Sequence, residues 1–137
     1  MTDLPSDLFE AARTARNNAH APYSGFRVGA AVRGEDGRVA AGCNVENAAY
    51  PHGQCAEASA IGALITGGAK RVTEIVVLAG EPGDGLLCTP CGGCRQRLSE
   101  FADPDVLVHI CGPEGHRRTF TMGQLLPHQF GPDNLGL

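Results

Sequence analysis

The chain contains no tryptophan, and its two tyrosines and five phenylalanines make aromatic residues only 5% of the 137 residues. Basic residues are also in the minority, because 11 lysines and arginines stand against 15 aspartates and glutamates, which gives a formal charge of −4. Proteins that bind nucleic acid through its phosphates are usually basic and offer aromatic side chains to the bases. We therefore expect no nucleic-acid partner.

Long hydrophobic runs are missing as well. No stretch of about 18 apolar residues occurs, so we expect no transmembrane helix and no membrane partner. Residues 1–5 have neither a basic head nor an apolar run, so we expect no signal peptide. A cytoplasmic location follows as the default. In such a reducing compartment, the six cysteines are expected to be thiols or metal ligands rather than disulfides.

The composition that is present fits one globular domain spanning residues 1–137. Hydrophobic residues make up 42% of the chain and charged residues 19%, a balance that argues against intrinsic disorder. The length is close to the common domain size of roughly 100–150 residues. Its 19 glycines and 9 prolines predict many tight turns without reaching the level of low complexity.

The spacing of apolar residues predicts four helices. The first has Ser6 or Asp7 as its cap, the second ends at a Gly-Gly stop, and the third carries Pro90 in its first turn. The fourth is short. In chain order they cover residues 4–20, 55–66, 90–101 and 124–126.

Alternating or continuous apolar runs predict five strands. The first two flank an Asp36-Gly37 turn and form a β-hairpin. The next two are nearly continuous apolar runs typical of buried strands, and the last is an edge strand after a turn at 113–115. In chain order they cover residues 26–32, 39–43, 72–79, 106–111 and 118–121.

The resulting order, α-β-β-α-β-α-β-β-α, predicts an α/β fold. Helices between strands imply parallel βαβ units, whereas the hairpin strands pair antiparallel. We therefore expect a three-layer α-β-α architecture around a five-stranded mixed sheet.

Three cysteines and a glutamate stand out as candidates for chemistry. Cys91 and Cys94 are three residues apart, which places both sulfurs on one face of a helical turn, and Cys55 would begin another helix. Thiols at helix N-termini have lowered pKa values and favour the thiolate that binds zinc. Glu57 lies two residues beyond one ligand, where a general acid/base for a metal-activated water belongs.

Other interpretations of these cysteines remain open on spacing alone. A CxxC pair is also typical of redox centres, and buried cysteines act as small hydrophobic residues. Cys88 extends the run to C-x2-C-x2-C, but an iron–sulfur run of this kind would need a cysteine near position 98, where Leu98 stands. A closed structural zinc site formed by Cys88 with the other three cysteines is the stronger rival. It gives Glu57 no role.

Five segments, two of which contain these cysteines, match the pattern of a known family over nearly the whole chain. They are APYSGF with VGAA at 21–31, GCNVENAAYP at 42–51, CAE at 55–57, PCGGCRQ at 90–96 and LLPHQF at 125–130. Together these segments resemble the zinc-dependent cytidine deaminase family, in its small form with three cysteine ligands. Any one of them would be a weak signal, whereas five in register are specific.

The resemblance implies a mechanism. Cys55, Cys91 and Cys94 would ligate Zn²⁺ and leave the fourth position to a water, whose pKa would fall from about 15.7 toward 7. Glu57 would take the proton of this water, give one to N3 of the base and later assist the departure of ammonia. The implied reaction is the hydrolysis of cytidine and 2′-deoxycytidine to uridine and 2′-deoxyuridine in pyrimidine salvage.

The resemblance also assigns substrate contacts. Phe26 would face the pyrimidine ring, and Asn44 and Glu46 would hydrogen-bond the ribose 3′-hydroxyl. Tyr50 and Phe130 would complete the pockets of neighbouring subunits, which implies a homotetramer with shared active sites. The implied substrate-binding residues are Phe26, Asn44, Glu46, Tyr50, Ala56 and Phe130.

One position departs from the family pattern. Family members of this form commonly carry arginine directly after the catalytic glutamate, whereas this chain has Ala58. Three thiolates and Zn²⁺ sum to a charge of −1, which opposes the formation of hydroxide on the metal. Our hypothesis is that the two helix N-termini, together with Arg95 or Gln96, compensate this charge.

Two alternatives to a cytidine deaminase stay open at this point. One is a deaminase of another cytosine-containing compound, such as blasticidin S, and the other is a non-catalytic zinc module with four cysteine ligands. Cys43 and Cys111 end predicted strands, and we expect them to be core thiols without a role in the site.

Overall fold

A five-stranded mixed sheet forms the centre of the computed structural model, which describes residues 3–137. Met1 and Thr2, on which part of the signal-peptide expectation rests, lie outside the described residues. The strand order is β2-β1-β3-β4-β5. The strands are β1 (Val28–Gly34), β2 (Val39–Cys43), β3 (Val72–Ala79), β4 (Leu107–Gly112) and β5 (Gly115–Thr121).

The strand directions confirm the predicted mixed sheet. The hairpin strand β1 is antiparallel to both β2 and β3, and β5 is antiparallel to β4. The parallel pair is β3 with β4. Since β3 is the central strand of five and is buried on both faces, its sequence is nearly continuous in apolar residues. As expected, β5 lies at an edge.

Four helices cover the two faces of this sheet and confirm the three-layer architecture. They are α1 (Ser6–Asn17), α2 (Ala56–Thr66), α3 (Gly92–Ser99) and α4 (Met122–Leu125). On one face, α1 buries Leu8, Phe9 and Ala12 against the sheet. On the other face the remaining helices form the larger core, with Leu64, Leu98 and Met122 fully buried.

Two glycines let helices lie directly on the sheet. A Cβ at Gly29 would stand 2.0 Å from the carbonyl oxygen of Ala12 in α1. A Cβ at Gly42 would stand 2.5 Å from the backbone nitrogen of Ala60 in α2. These distances are too short for any side chain, so both positions require glycine. Gly42 thereby fixes the height of α2 above β2.

Several predicted boundaries were wrong. Helix α1 begins at Ser6 after Pro5, so neither Ser6 nor Asp7 caps it, and the Asp7 carboxylate instead pairs with Arg33. Pro90 lies before α3 rather than in its first turn, because Cys91 is the N-cap residue. Strand β5 starts at Gly115, earlier than expected.

Two short 3₁₀ helices, Tyr50–His52 and Pro132–Leu135, were not predicted. Each has a proline among its first two residues, where the fixed φ of proline suits a helical turn. Among the described residues, no helix has both the length and the apolar character that crossing a membrane requires.

Candidate active site

The N-termini of α2 and α3 meet and bring three cysteines together. Cys55 is the N-cap residue of α2, Cys91 is the N-cap residue of α3, and Cys94 lies in the first turn of α3. Their sulfur atoms all lie within 4.8 Å of one another. Within residues 3–137 this is the only group of three or more His, Cys, Asp or Glu side chains so arranged.

The donor set fits zinc. Sulfurs around a tetrahedral zinc, each about 2.3 Å from the metal, are about 3.8 Å apart, and the three sulfurs here, all within 4.8 Å of one another, lie close to that spacing. Cys88 is not in this cluster, so the described residues 3–137 do not form the four-sulfur site considered as a rival. Three protein ligands leave one position of a tetrahedron open, which is typical of catalytic zinc.

The three thiols differ in their electrostatic environment. The backbone N–H of Cys94 donates to the Cys91 sulfur and lowers its pKa, as expected at a helix N-terminus. Burial raises the pKa of Cys55 and of Cys94, so the helix N-termini alone do not make these two thiols thiolates. A metal that replaces their protons is therefore needed to ionise the complete cluster.

Glu57 lies in the first turn of α2 and is 5% exposed. Burial raises the pKa of its carboxyl, while its own backbone N–H and the charge of Arg97 act in the opposite direction. A carboxylate whose proton affinity is increased in this way is suited to accept and return protons.

A cavity of about 250 Å³ joins these groups. Phe26, which is 42% exposed, lines it together with Asn44 and Ala56, beside Cys55, Glu57 and Cys91. The structure therefore brings together three of the six residues assigned to the substrate by resemblance. Glu46, Tyr50 and Phe130 are not among the residues lining this cavity.

Asn44 holds the backbone around Phe26 in place through two hydrogen bonds. Its Oδ1 accepts a hydrogen bond from the Val28 N–H at 2.9 Å, and its Nδ2 donates to the Phe26 carbonyl at 2.8 Å. The ribose contact assigned to Asn44 stays a prediction, whereas these two bonds give it a positioning role that the sequence did not indicate.

Glu46 hydrogen-bonds the residues that directly precede this segment. Its Oε1 accepts hydrogen bonds from the Tyr23 and Ser24 N–H groups at 2.9 and 3.2 Å, and the Ser24 hydroxyl donates to its Oε2. These bonds, with the Ser24 hydroxyl contributing most, lower the pKa of the Glu46 carboxyl. Its assigned ribose contact also stays a prediction.

Tyr50 and Phe130 are on the surface of the chain. Tyr50 is 75% exposed and makes an edge-on contact with Tyr23, with ring centroids 6.1 Å apart. These two tyrosines and Glu46 line a second cavity of about 410 Å³. Phe130 is 57% exposed, and its carbonyl accepts a hydrogen bond from Gln96 Nε2 at 3.0 Å.

Arg95 was expected to compensate the charge of the sulfur cluster, but its hydrogen bonds within residues 3–137 point elsewhere. Its Nε donates to the Pro90 carbonyl, its Nη1 to the Leu125 carbonyl and its Nη2 to Thr89 Oγ1, at 2.7, 2.9 and 3.0 Å. Arg95 therefore ties the segment before Cys91 to the C-terminal region. Gln96 contacts the tail rather than a sulfur.

Two residues outside the predicted three-cysteine ligand set lie near the cluster. Cys88 is half-buried and lines the Glu57 cavity, where burial raises the pKa of its thiol to about 11. Arg97 lies one helical turn after Cys94 and shares a face of α3 with Gly93, a spacing that could have indicated it. Of the expected core thiols, Cys111 is buried, while Cys43 is only half-buried.

Comparison with known proteins adds a family match, two relatives and a solved structure. Residues 3–110 match the family model of the cytidine and deoxycytidylate deaminase zinc-binding region. A cytidine deaminase from Sporosarcina psychrophila is 36% identical over 128 residues, covering 93% of this chain and 92% of the relative. One from Mycobacterium tuberculosis is 43% identical over 124 residues, covering 90% and 87%. The crystal structure of a cytidine deaminase from Burkholderia pseudomallei superposes with a TM-score of 0.83 at 40% identity, covering 95% of this chain and all of that one.

Proposed function

The chain belongs to the cytidine and deoxycytidylate deaminase family, and on this basis we propose that it is a zinc-dependent hydrolase that converts cytidine and 2′-deoxycytidine to uridine and 2′-deoxyuridine. One observation carries the proposal. Glu57, nearly buried, shares a cavity with Cys55 and Cys91 of the three-sulfur cluster. A proton carrier beside a metal with an open position is the arrangement that hydrolytic deamination requires.

Cys55, Cys91 and Cys94 are the residues that would bind Zn²⁺ as thiolates. A zinc ion bound there supplies Lewis acidity, which makes water a nucleophile at neutral pH. Glu57 removes one proton from the attacking water and delivers it to N3 of the cytosine ring as oxygen adds to C4. It then carries the second proton of that water to the amino nitrogen, the C4–N bond breaks, and ammonia leaves.

The pocket orients a flat ring above these groups. Phe26 lines the cavity and offers an aromatic face to the pyrimidine, and Ala56 is too small to block access to Glu57. Asn44 keeps the Phe26 backbone in place through two hydrogen bonds. In our proposal, Asn44 and Glu46 also form hydrogen bonds with the ribose 3′-hydroxyl.

We propose that four copies assemble and share their active sites. Tyr50 and Phe130 are aromatic side chains exposed by 75% and 57%, and such rings on a single chain favour contact with a partner. Light scattering of the purified protein should give four times the mass of one chain. A fully active monomer would contradict this assembly.

We also place the enzyme in the reducing cytoplasm, in pyrimidine salvage. The six cysteines are unpaired within residues 3–137, and the three that would bind zinc require the thiolate form.

The test measures the ultraviolet change as cytidine is converted to uridine, with ammonia release as a second readout. Glu57→Gln should lower kcat by roughly 10²- to 10⁴-fold, the usual contribution of a general acid/base, without loss of bound zinc. Glu10→Gln is the matched control, because it makes the same change on the exposed side of α1. Wild-type protein that releases no ammonia from cytidine, or a Glu57→Gln variant as active as the control, would refute the proposal.

A further inference from the structure

The candidate metal centre has an excess of negative charge. Three thiolates leave a zinc site at −1, and the nearly buried carboxyl of Glu57 lies in the same cavity as two of these cysteines. Uncompensated charge in a partly buried site is costly. Ala58 carries no charge, and the guanidinium of Arg95 is engaged with two carbonyls and Thr89.

Arg97 lies beside the cluster. Its Nη1 is 3.1 Å from the point where a Cβ at Gly93 would stand, and the Cys91 sulfur is 3.9 Å from that same point. The guanidinium and the sulfur are therefore at most about 7 Å apart, which is within one Debye length, about 8 Å at physiological ionic strength. The glycine between the two ligands of α3 leaves the space that Arg97 occupies.

Arg97 also shares a surface depression with the other helix of the site. A cavity of about 550 Å³ is lined by Arg97 from α3 and by Cys55 and Ala58 from α2. The short side chain of Ala58 leaves this depression open to a guanidinium. Arg33 and Arg71 are paired with aspartates, whereas Arg97 has no ion pair within residues 3–137.

We propose that Arg97 supplies the positive charge that stabilises the three-thiolate zinc site, in the space between α2 and α3 that Ala58 leaves open. Arg97 is a positioning residue that acts through the metal ligands rather than on the substrate. The inference rests on the proposed function in requiring that zinc bind at Cys55, Cys91 and Cys94. It concerns how firmly the metal is bound, which can be measured without turnover.

The experiment follows zinc transfer from the purified holoenzyme to a colorimetric chelator at low salt. Arg97→Ala should weaken zinc affinity by roughly tenfold, the lower end of the range of about 10- to 100-fold that residues behind metal ligands contribute. Arg97→Lys should stay within about threefold of wild type because it keeps the charge, and 1 M salt should reduce the difference between Arg97→Ala and wild type. Arg38→Ala is the matched control, since Arg38 lies near Gly67 at the opposite end of α2.

A second variant tests the geometry. Adding Ala58→Arg to Arg97→Ala places a guanidinium in the same depression from α2 and should restore most of the lost affinity. Arg97→Ala with wild-type affinity, Arg97→Lys as weak as Arg97→Ala, or a double variant as weak as Arg97→Ala would each overturn the inference. Wild-type protein without zinc would instead overturn the proposed function, so the two failures are distinguishable.

Discussion

Replacing Gly42 by alanine should separate α2 from the sheet and damage the site at its N-terminus. A Cβ at this position would lie 2.5 Å from the Ala60 nitrogen, 2.6 Å from the Ser59 Cβ and 2.7 Å from the Ala56 carbonyl oxygen. All three contacts are with backbone or Cβ atoms of α2, which no side-chain rotation can move. Because Ala56 begins α2, any outward shift of the helix moves Cys55 and Glu57 away from Cys91 and Cys94.

The expected magnitude follows from these contacts. Overpacking a core costs typically about 1–3 kcal/mol, and we expect Gly42→Ala near the upper value because helix backbone obstructs the new methyl group. For a chain of this size, 1 kcal/mol shifts Tm by about 3–5 °C, so Tm should fall by roughly 10–15 °C. Zinc affinity should fall with it.

The assay is thermal unfolding at a fixed zinc concentration, since bound metal itself raises Tm. Gly62→Ala is the matched control, because it makes the same change in the same helix at a position where a Cβ meets no atom within 4 Å. It should raise the free energy of unfolding by roughly 0.5–1 kcal/mol through helix propensity. If Gly42→Ala melts at the wild-type temperature, the close approach of α2 and β2 does not position the site.

Three further predictions concern Asn44, Cys88 and the Arg117–Glu114 ion pair. Asn44→Ala should destabilise the protein by about 1–3 kcal/mol, because the buried Val28 N–H loses its acceptor. It should also raise KM for cytidine at least tenfold. Denaturant unfolding and steady-state kinetics measure the two effects, and an unchanged KM contradicts the role of Asn44. Cys88→Ser should leave one zinc per chain by metal analysis, since Cys88 lies outside the cluster, and loss of the metal would restore the four-sulfur alternative. Arg117 lowers the pKa of Glu114 to about 2, so this pair adds stability above the ordinary glutamate pKa of 4.5, and that stability is lost as the pH falls toward 2. Arg117→Gln should remove this part of the acid dependence in melting curves from pH 6 to 2, and an unchanged pH profile would contradict it.

The elements of the sheet could be predicted because their signals are local. The limits of β3 were predicted to the residue, since a central strand buried on both faces is a continuous apolar run with clear ends. The predicted start of α3 was wrong, because the prediction relied on the preference of proline for the first helical turn. In the structure Cys91 is the N-cap residue and Pro90 precedes it. Nothing in the apolar pattern indicated the 3₁₀ helix Tyr50–His52, which is exposed.

The site was predictable where chemistry depends on spacing and not where it depends on packing. The grouping of Cys55 with Cys91 and Cys94 was predicted from thiols at helix N-termini together with the family resemblance, and the structure confirms that the three sulfurs lie together. The hydrogen bonds from Asn44 to residues 26 and 28 join positions at least 16 residues apart, so only the fold reveals them. Arg97 was overlooked because charge compensation was sought in the two residues that directly follow Cys94.

X-ray absorption at the zinc edge of the purified, active protein shows which atoms surround the metal. An open catalytic site at Cys55, Cys91 and Cys94 predicts three sulfur scatterers at about 2.3 Å and one lighter oxygen or nitrogen scatterer at about 2.0 Å. Four sulfur scatterers, or full activity in protein that contains no zinc, would exclude an open catalytic zinc site in this protein.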